Sequence, residues 1–213
     1  MDFLPEKIEQ FVEKYTEKES PILKELNHET WEKVLIPRML SGHIQGRILS
    51  MFSHMIQPKT ILEIGTYTGY SALCLSEGLK KDGKLITIDI NEELEPMVRK
   101  YIAKAGKEEQ IDYRIGNALD IIPTLNETFD LVFIDADKTN YSNYFDLVID
   151  KLATNGYIIA DNVLWSGKVT QPYETLDADT KALVDYCEKV ENDSRVQNVL
   201  FPVRDGLMVC RKI

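Results

Sequence analysis

The stretch TILEIGTYTGYSAL, from Thr60 to Leu73, constrains the fold more than any other. It reads as an apolar run, a turn with two glycines, and the opening of a helix. A strand that feeds a helix through glycines offers backbone N–H groups at the helix N-terminus, where a ligand is readily cradled. The same rhythm then repeats. KLITID (84–89), IDYRIG (111–116), FDLVFID (129–135), GYIIADN (156–162), VQNVLFPV (196–203) and GLMVCRKI (206–213) read as strands. SALCLSEGLKK (71–81), NEELEPMVRKYIAKAG (91–106), NALDIIPTL (117–125), NYFDLVIDKL (143–152) and DADTKALVDYCEKVEND (177–193) read as helices between them. Strands alternating with helices at this spacing imply βαβ units. The predicted fold is a Rossmann-like doubly wound α/β sheet of about seven mostly parallel strands, with helices on both faces. The last two strands are joined through RDG (204–206) with no helix, so the C-terminal strand is expected to run antiparallel.

The residues before Thr60 have a different period. Phe3, Ile8, Phe11, Val12 and Tyr15 recur at helical steps until Pro21. A second helical stretch is expected from Thr30 to Pro37, and a third from Ser41 to Ile56, ended by Pro58. Their apolar stripes need burial somewhere, and a homodimer is the expected place. The N-terminus is amphipathic and acidic, without a signal-peptide pattern, and no apolar run has the length of a membrane span. Cys74, Cys187 and Cys210 are widely spaced and odd in number, which fits neither a zinc site nor a disulfide framework, so a reducing cytoplasm is the expected location. The formal charge of −10 disfavours a main task of gripping nucleic-acid phosphates. The basic run RKYIAKAGK (99–107) is spaced like the solvated face of a helix.

Ligands of doubly wound sheets sit beyond the C-terminal strand ends, where Glu63, Asp89, Asp135, Asp161 and Asn162 fall. The dinucleotide fingerprint needs a middle glycine that lets backbone approach a pyrophosphate. Here Gly65 and Gly69 stand four apart without it, and Glu63 adds an anion that phosphate would not welcome. A ligand with a cationic head and an adenosine tail fits better, with Asp89 placed to take ribose hydroxyls. S-adenosylmethionine has those features. The competing reading is a helix-dipole role for Glu63 and Asp89, with the glycines serving only the turn.

LEIGTYTGYSAL, TIDIN, FIDADKTNY, ADNVLWSG and PVRDGL, in this order and spacing, resemble the metal-dependent O-methyltransferases. That family includes plant caffeoyl-coenzyme A O-methyltransferases, animal catechol O-methyltransferase and many bacterial relatives. The resemblance runs from about Arg38 to the C-terminus. It implies a single methyltransferase domain over 1–213, with 1–56 as a helical cap or dimerisation segment and 57–213 as the core. It implies that Glu63, Gly65 and Thr66 hold the methionine part of S-adenosylmethionine, with Ser71 on its carboxylate and Ser41 approaching from the preceding helix. Asp89 would take the ribose, Asn117 and Ala118 would lie by the adenine, and Asp135 and Asp137 would stand near the cofactor.

Asp135, Asp161 and Asn162 supply three hard oxygens, which suit magnesium, manganese or calcium rather than zinc. Taken alone, each of these residues reads as a turn signal or helix cap. The family's catalytic lysine matches Lys138. A phenol near pKa ~10 is ionised to about one part in a thousand at neutral pH, a deficit of roughly 4 kcal/mol. A unit positive charge about 4 Å away supplies roughly that much at an effective dielectric near 20. A metal could therefore ionise the acceptor while Lys138 accepts the proton or stabilises the anion. Trp165 and Ser166 border the acceptor site in the plant enzymes, and Trp165 either covers the aromatic ring or packs in the core. His28, His43 and His54 match no family role, and Arg204 and Tyr70 read as structural. The implied substrate is a small catechol-like or hydroxycinnamoyl-type aromatic. Alternatives are a 5-hydroxyuridine in tRNA with the same chemistry, a nicotinamide-dependent oxidoreductase on the same fold, and a binding protein without catalysis.

Overall fold

A computed structural model describes residues 5–213; Phe3 lies outside the described residues. The chain carries a seven-stranded mixed sheet with helices around it. It divides into two compact units, 5–118 and 119–213.

In the first unit, β1 (Thr60–Ile64), β2 (Lys84–Asp89) and β3 (Ile111–Ile115) lie side by side in the order β3-β2-β1, all parallel. β1 and β2 are largely apolar runs, as strands covered on both faces must be, and Ile61, Leu62, Leu85 and Ile86 are fully buried; β3, IDYRI, alternates, with Ile111 and Tyr113 buried. The N-terminal helices are α1 (Glu6–Tyr15), α2 (Pro21–Lys33) and α3 (Gly42–Ile56). α4 (Tyr70–Ser76) follows β1, and α5 (Glu95–Lys104) follows β2. Every residue of α4 is buried, which its apolar sequence YSALCLS allows.

Pro21 does not interrupt a helix; it starts one. Ser20 Oγ accepts the Leu23 N–H at 3.3 Å, and Pro21 takes the first helical position, where a missing N–H costs nothing. The helix expected to begin at Thr30 therefore begins nine residues earlier and ends at Lys33. The helix after the glycine turn stops at Ser76 rather than reaching Lys81. Gly78 lies so close to α3 that an added Cβ would stand 2.2 Å from the Ser53 carbonyl carbon, so the chain leaves the helix where it meets a neighbouring backbone.

In the second unit, β4 (Phe129–Ile134) pairs in parallel with β5 (Leu152–Asp161). β7 (Leu207–Lys212) lies antiparallel to both β5 and β6 (Val196–Phe201), giving the order β4-β5-β7-β6. The antiparallel strand expected at the C-terminus is β7, inserted between β5 and β6. The helices of this unit are α6 (Ala118–Ile121, which begins on the last residue of the first unit), α7 (Tyr141–Ile149) and α8 (Ala178–Glu191). Asp177 caps α8 by accepting the Thr180 N–H at 2.8 Å.

Candidate active site

The glycine turn between β1 and α4 is stitched to the strand ends beside it. Gly65 N–H donates to the Ile88 carbonyl at 2.9 Å, and Tyr67 N–H donates to Asp89 Oδ2 at 2.6 Å. Asp89 Oδ1 accepts from Asn91 N–H at 2.8 Å, and its carbonyl accepts from Gly116 N–H at 2.8 Å. One residue thus holds the ends of all three strands of this unit in register. Gly65 (φ 98°) and Gly69 (φ 89°) occupy the left-handed region, which explains why the turn uses glycine at both places.

Glu63 is fully buried at the end of β1. Its Oε2 accepts from Thr87 Oγ1 at 2.5 Å, and Thr87 Oγ1 lies 2.5 Å from Thr66 Oγ1. A carboxylate only accepts, so Thr87 spends its proton on Glu63 and the Thr66 hydroxyl must donate to Thr87. Two of the expected cofactor residues, Glu63 and Thr66, are thereby joined through Thr87, while Gly65 and Asp89 belong to the separate bonds that stitch the turn to the strand ends. Ser71 is buried in the first turn of α4, and Ser41 is buried as the cap of α3. Asn117 is exposed beside the buried Ala118 at the start of α6.

The N-terminal helices bear on this turn. Tyr67 Oη donates to the Ile36 carbonyl at 2.9 Å, and Thr30 of α2 hydrogen-bonds Thr68 at 3.2 Å. Lys100 and Tyr101 of α5 both donate to Glu29 of α2, which also takes Lys33 Nζ. These donors hold the Glu29 carboxyl down at about 2, with Lys100 the largest cause. Tyr70 is structural: its ring is buried and its hydroxyl donates to Glu19 at 2.7 Å.

In the second unit, Lys138 follows β4 and is buried. Its Nζ donates to Asp135 Oδ1 at 3.1 Å, Asn162 Oδ1 at 2.9 Å and Tyr141 Oη at 2.6 Å. These bonds use all three hydrogens of an ammonium. Asp161 is buried at the end of β5; its Oδ1 accepts the Asn162 N–H at 2.7 Å, and its carbonyl accepts Tyr141 Oη–H at 2.9 Å. Tyr141 is fully buried, and burial, followed by the nearby Asp135 and Asp161 charges, pushes its hydroxyl well above the usual range. Asp137 is exposed and engaged locally, accepting from Tyr144 Oη and Asn140 Nδ2, both at 2.5 Å.

The segment after Asn162 is backbone-strained. Asn162, Trp165, Ser166 and Gly167 all have positive φ. The hairpin before β7 pins it, with Leu164 N–H on the Asp205 carbonyl at 2.8 Å and Ser166 N–H on Asp205 Oδ1 at 2.5 Å. Trp165 is half-buried with its ring centroid 5.5 Å from Lys138 Nζ, and Ser166 is exposed. Trp165 is therefore not a core tryptophan.

Asp135, Lys138 and Asn162 come together as the sequence suggests. Among the described residues, no group of three or more His, Cys, Asp and Glu is placed to hold a metal; the expected set contains only two acids, its third oxygen being an amide. Thr87, Tyr141 and Asp205 were missed by the sequence reading. Thr87 stands two residues before Asp89 on one strand, and Tyr141 one helical turn after Lys138; those spacings were the available signals.

Residues 13–213 match the family model described as O-methyltransferase. Caffeoyl-CoA O-methyltransferase of Petroselinum crispum is 38% identical over 189 residues, covering 82% of this chain and 77% of the relative. Among solved structures, the SAH-bound methyltransferase PaMTH1 of Podospora anserina has a TM-score of 0.90 at 28% identity, covering 99% of this chain and 98% of its own. The O-methyltransferase of Bacillus cereus in complex with SAH has a TM-score of 0.89 at 26% identity, covering 97% of each chain. With a family match over nearly its whole length and glycine-turn and lysine–carboxylate clusters in place, the chain belongs to the O-methyltransferase family, enzymes that move a methyl group onto oxygen.

Proposed function

We propose that this protein is a divalent-metal-dependent O-methyltransferase. It transfers the methyl group of S-adenosylmethionine to one hydroxyl of a small aromatic with vicinal hydroxyls, of the catechol or hydroxycinnamoyl-ester type. The observation that carries this reading is the convergence of Asp135 Oδ1 and Asn162 Oδ1 on one positive charge, Lys138 Nζ. Hard oxygens already gathered around a cation are a suitable donor set for magnesium, manganese or calcium. Asp135, Asp161 and Asn162 would hold the ion. The glycine turn with Glu63, Thr66, Ser71 and Asp89 suits a donor with a sulfonium, an amino group and a ribose, and Ser41, Asn117, Ala118 and Asp137 would complete the contacts to that donor. The structural relatives bound to SAH support that assignment.

When bound, the ion supplies positive charge that lowers the pKa of a hydroxyl beside it, and the donor supplies an electrophilic methyl group. The residues of this chain do the rest. Glu63, held by Thr87, and Asp89, held by two backbone N–H groups, present fixed negative charge with no reorganisation at the moment of reaction. Lys138 Nζ lies beside the ion's donor set, where it stabilises the acceptor oxyanion or takes its proton. Trp165, half-buried, and Ser166, exposed, would border the acceptor.

The relatives named for caffeoyl-CoA favour a small molecule, and the charge of −10 disfavours tRNA. The test is methyl transfer from S-adenosylmethionine to caffeoyl esters and catechols with magnesium or EDTA, read by mass spectrometry. Methylation of 5-hydroxyuridine in tRNA, with every dihydroxy aromatic untouched, would overturn the substrate assignment. The reading includes a homodimer: Phe11 and Tyr15 of α1 and Met51 and Met55 of α3 are exposed. Sedimentation equilibrium should give twice the chain mass. No helix among the described residues is long and apolar enough to cross a membrane, and the three cysteines are free thiols. Both facts are consistent with the proposed cytoplasmic location.

A further inference from the structure

Lys138 spends all its hydrogen bonds on three acceptors, and two of them, Asp135 and Asn162, are the proposed metal ligands. Resting on that reading, we infer that Lys138 and the divalent cation exclude each other from the Asp135 and Asn162 oxygens. Tyr141 is the positioning residue that keeps hold of the displaced lysine.

An ion coordinated by these oxygens would sit about 2.0–2.6 Å from them. Lys138 Nζ lies 3.1 and 2.9 Å from the same two oxygens, so ammonium and ion would crowd each other as like charges across a part-buried gap. Tyr141 is the acceptor that lies outside the donor set. Its bond to Lys138, 2.6 Å, is the shortest of the three. Its proton is committed to the Asp161 carbonyl at 2.9 Å, which leaves its lone pairs turned to Lys138. Its ring is fully buried and packs edge-on against Tyr186 of α8, with centroids 5.6 Å apart, so the hydroxyl cannot follow the lysine elsewhere.

A lysine held by Tyr141 alone would have two hydrogens left to offer to an acceptor oxygen. With a cation held by Asp135 and Asn162, Lys138 would be free to serve the acceptor. Without the cation, the same amine is spent on Asp135 and Asn162. The Trp165 ring lies 5.5 Å from Lys138 Nζ, within cation–π range.

Manganese binding measures this directly, without turnover. Free Mn²⁺ is read by electron paramagnetic resonance in the presence of S-adenosylhomocysteine, for wild type, Lys138→Met, Lys138→Gln, Tyr141→Phe and the double variant Lys138→Met with Tyr141→Phe. Thermal melts confirm that each is folded. Both Lys138 variants are expected to bind Mn²⁺ about tenfold tighter or more, because a competing charge is gone. Tyr141→Phe is expected to weaken binding several-fold, since the lysine then keeps only the metal's oxygens. Added to Lys138→Met, the same change should do nothing. Unchanged or weaker binding in both Lys138 variants overturns the inference and leaves the metal site standing. An equal Tyr141→Phe effect with and without Lys138 reduces Tyr141 to packing and overturns its role. If neither wild type nor Lys138→Met binds Mn²⁺ at millimolar concentration, the metal reading falls, and the inference with it.

Discussion

The backbone N–H of Tyr67, in the glycine turn, donates to Asp89 Oδ2 at 2.6 Å, tying the turn after β1 to the end of β2. Asp89 therefore shapes the cradle as well as lining it. A carboxylate that accepts backbone N–H groups makes charge-assisted bonds worth roughly 1.5–3 kcal/mol together with the penalty for leaving the donors unmet. Asp89→Ala should raise the Kd for S-adenosylhomocysteine at least tenfold and also lower Tm, measured by calorimetry. A variant with wild-type Tm and reduced affinity would mean that Asp89 acts on the ligand alone.

Thr87 offers a second test of the same cradle. Thr87→Val keeps shape but removes the hydroxyl between Glu63 and Thr66. Depriving a buried carboxylate of a donor costs about 1–3 kcal/mol. Urea unfolding should show that loss, with weakened cofactor binding. Stability within error of wild type would show that water replaces the hydroxyl.

Asp161→Ala should abolish methyl transfer while S-adenosylhomocysteine still binds, because Asp161 belongs to the lysine–carboxylate cluster and the glycine turn is separate in the chain. Turnover of this variant in EDTA would remove the metal from the proposal. Lys138→Ala, by contrast, should lower kcat more than it raises KM, as expected for a group that acts on the developing oxyanion. A change confined to KM would assign Lys138 to binding.

Glu29 predicts a pH dependence of the N-terminal helices. Its carboxyl falls from the usual 4.5 to about 2 in the folded chain, through Lys100 first, then Tyr101 and Lys33. A depressed folded value means that the unfolded state binds more protons between these limits. The contribution is therefore full above about 4.5 and lost as pH falls toward about 2. Glu29→Gln should lower Tm at pH 7, with the gap to wild type closing at pH 3. A gap that stays constant would place the effect in packing rather than charge.

Much of this protein was legible in its sequence because local rules act over short spans. Short apolar runs between turn residues located every strand, period-3.6 patterns located most helices, and the glycines of 65–69 marked a turn that uses positive φ. Asp135 and Lys138 stand three apart, so a short turn at the end of β4 is enough to bring them together. What the sequence by itself left undecided was partnership across long separations. Thr87 reaches Glu63 only because β1 and β2 are in parallel register, with Glu63 opposite Thr87. Tyr141 joins Lys138 to Asp161 only because β5 lies beside β4. Pro21 looked like a breaker until the cap at Ser20 made it a start. Hydrophobic periodicity specifies which face is buried, whereas a hydrogen bond between residues twenty or more apart depends on strand order and register, which only the folded chain determines.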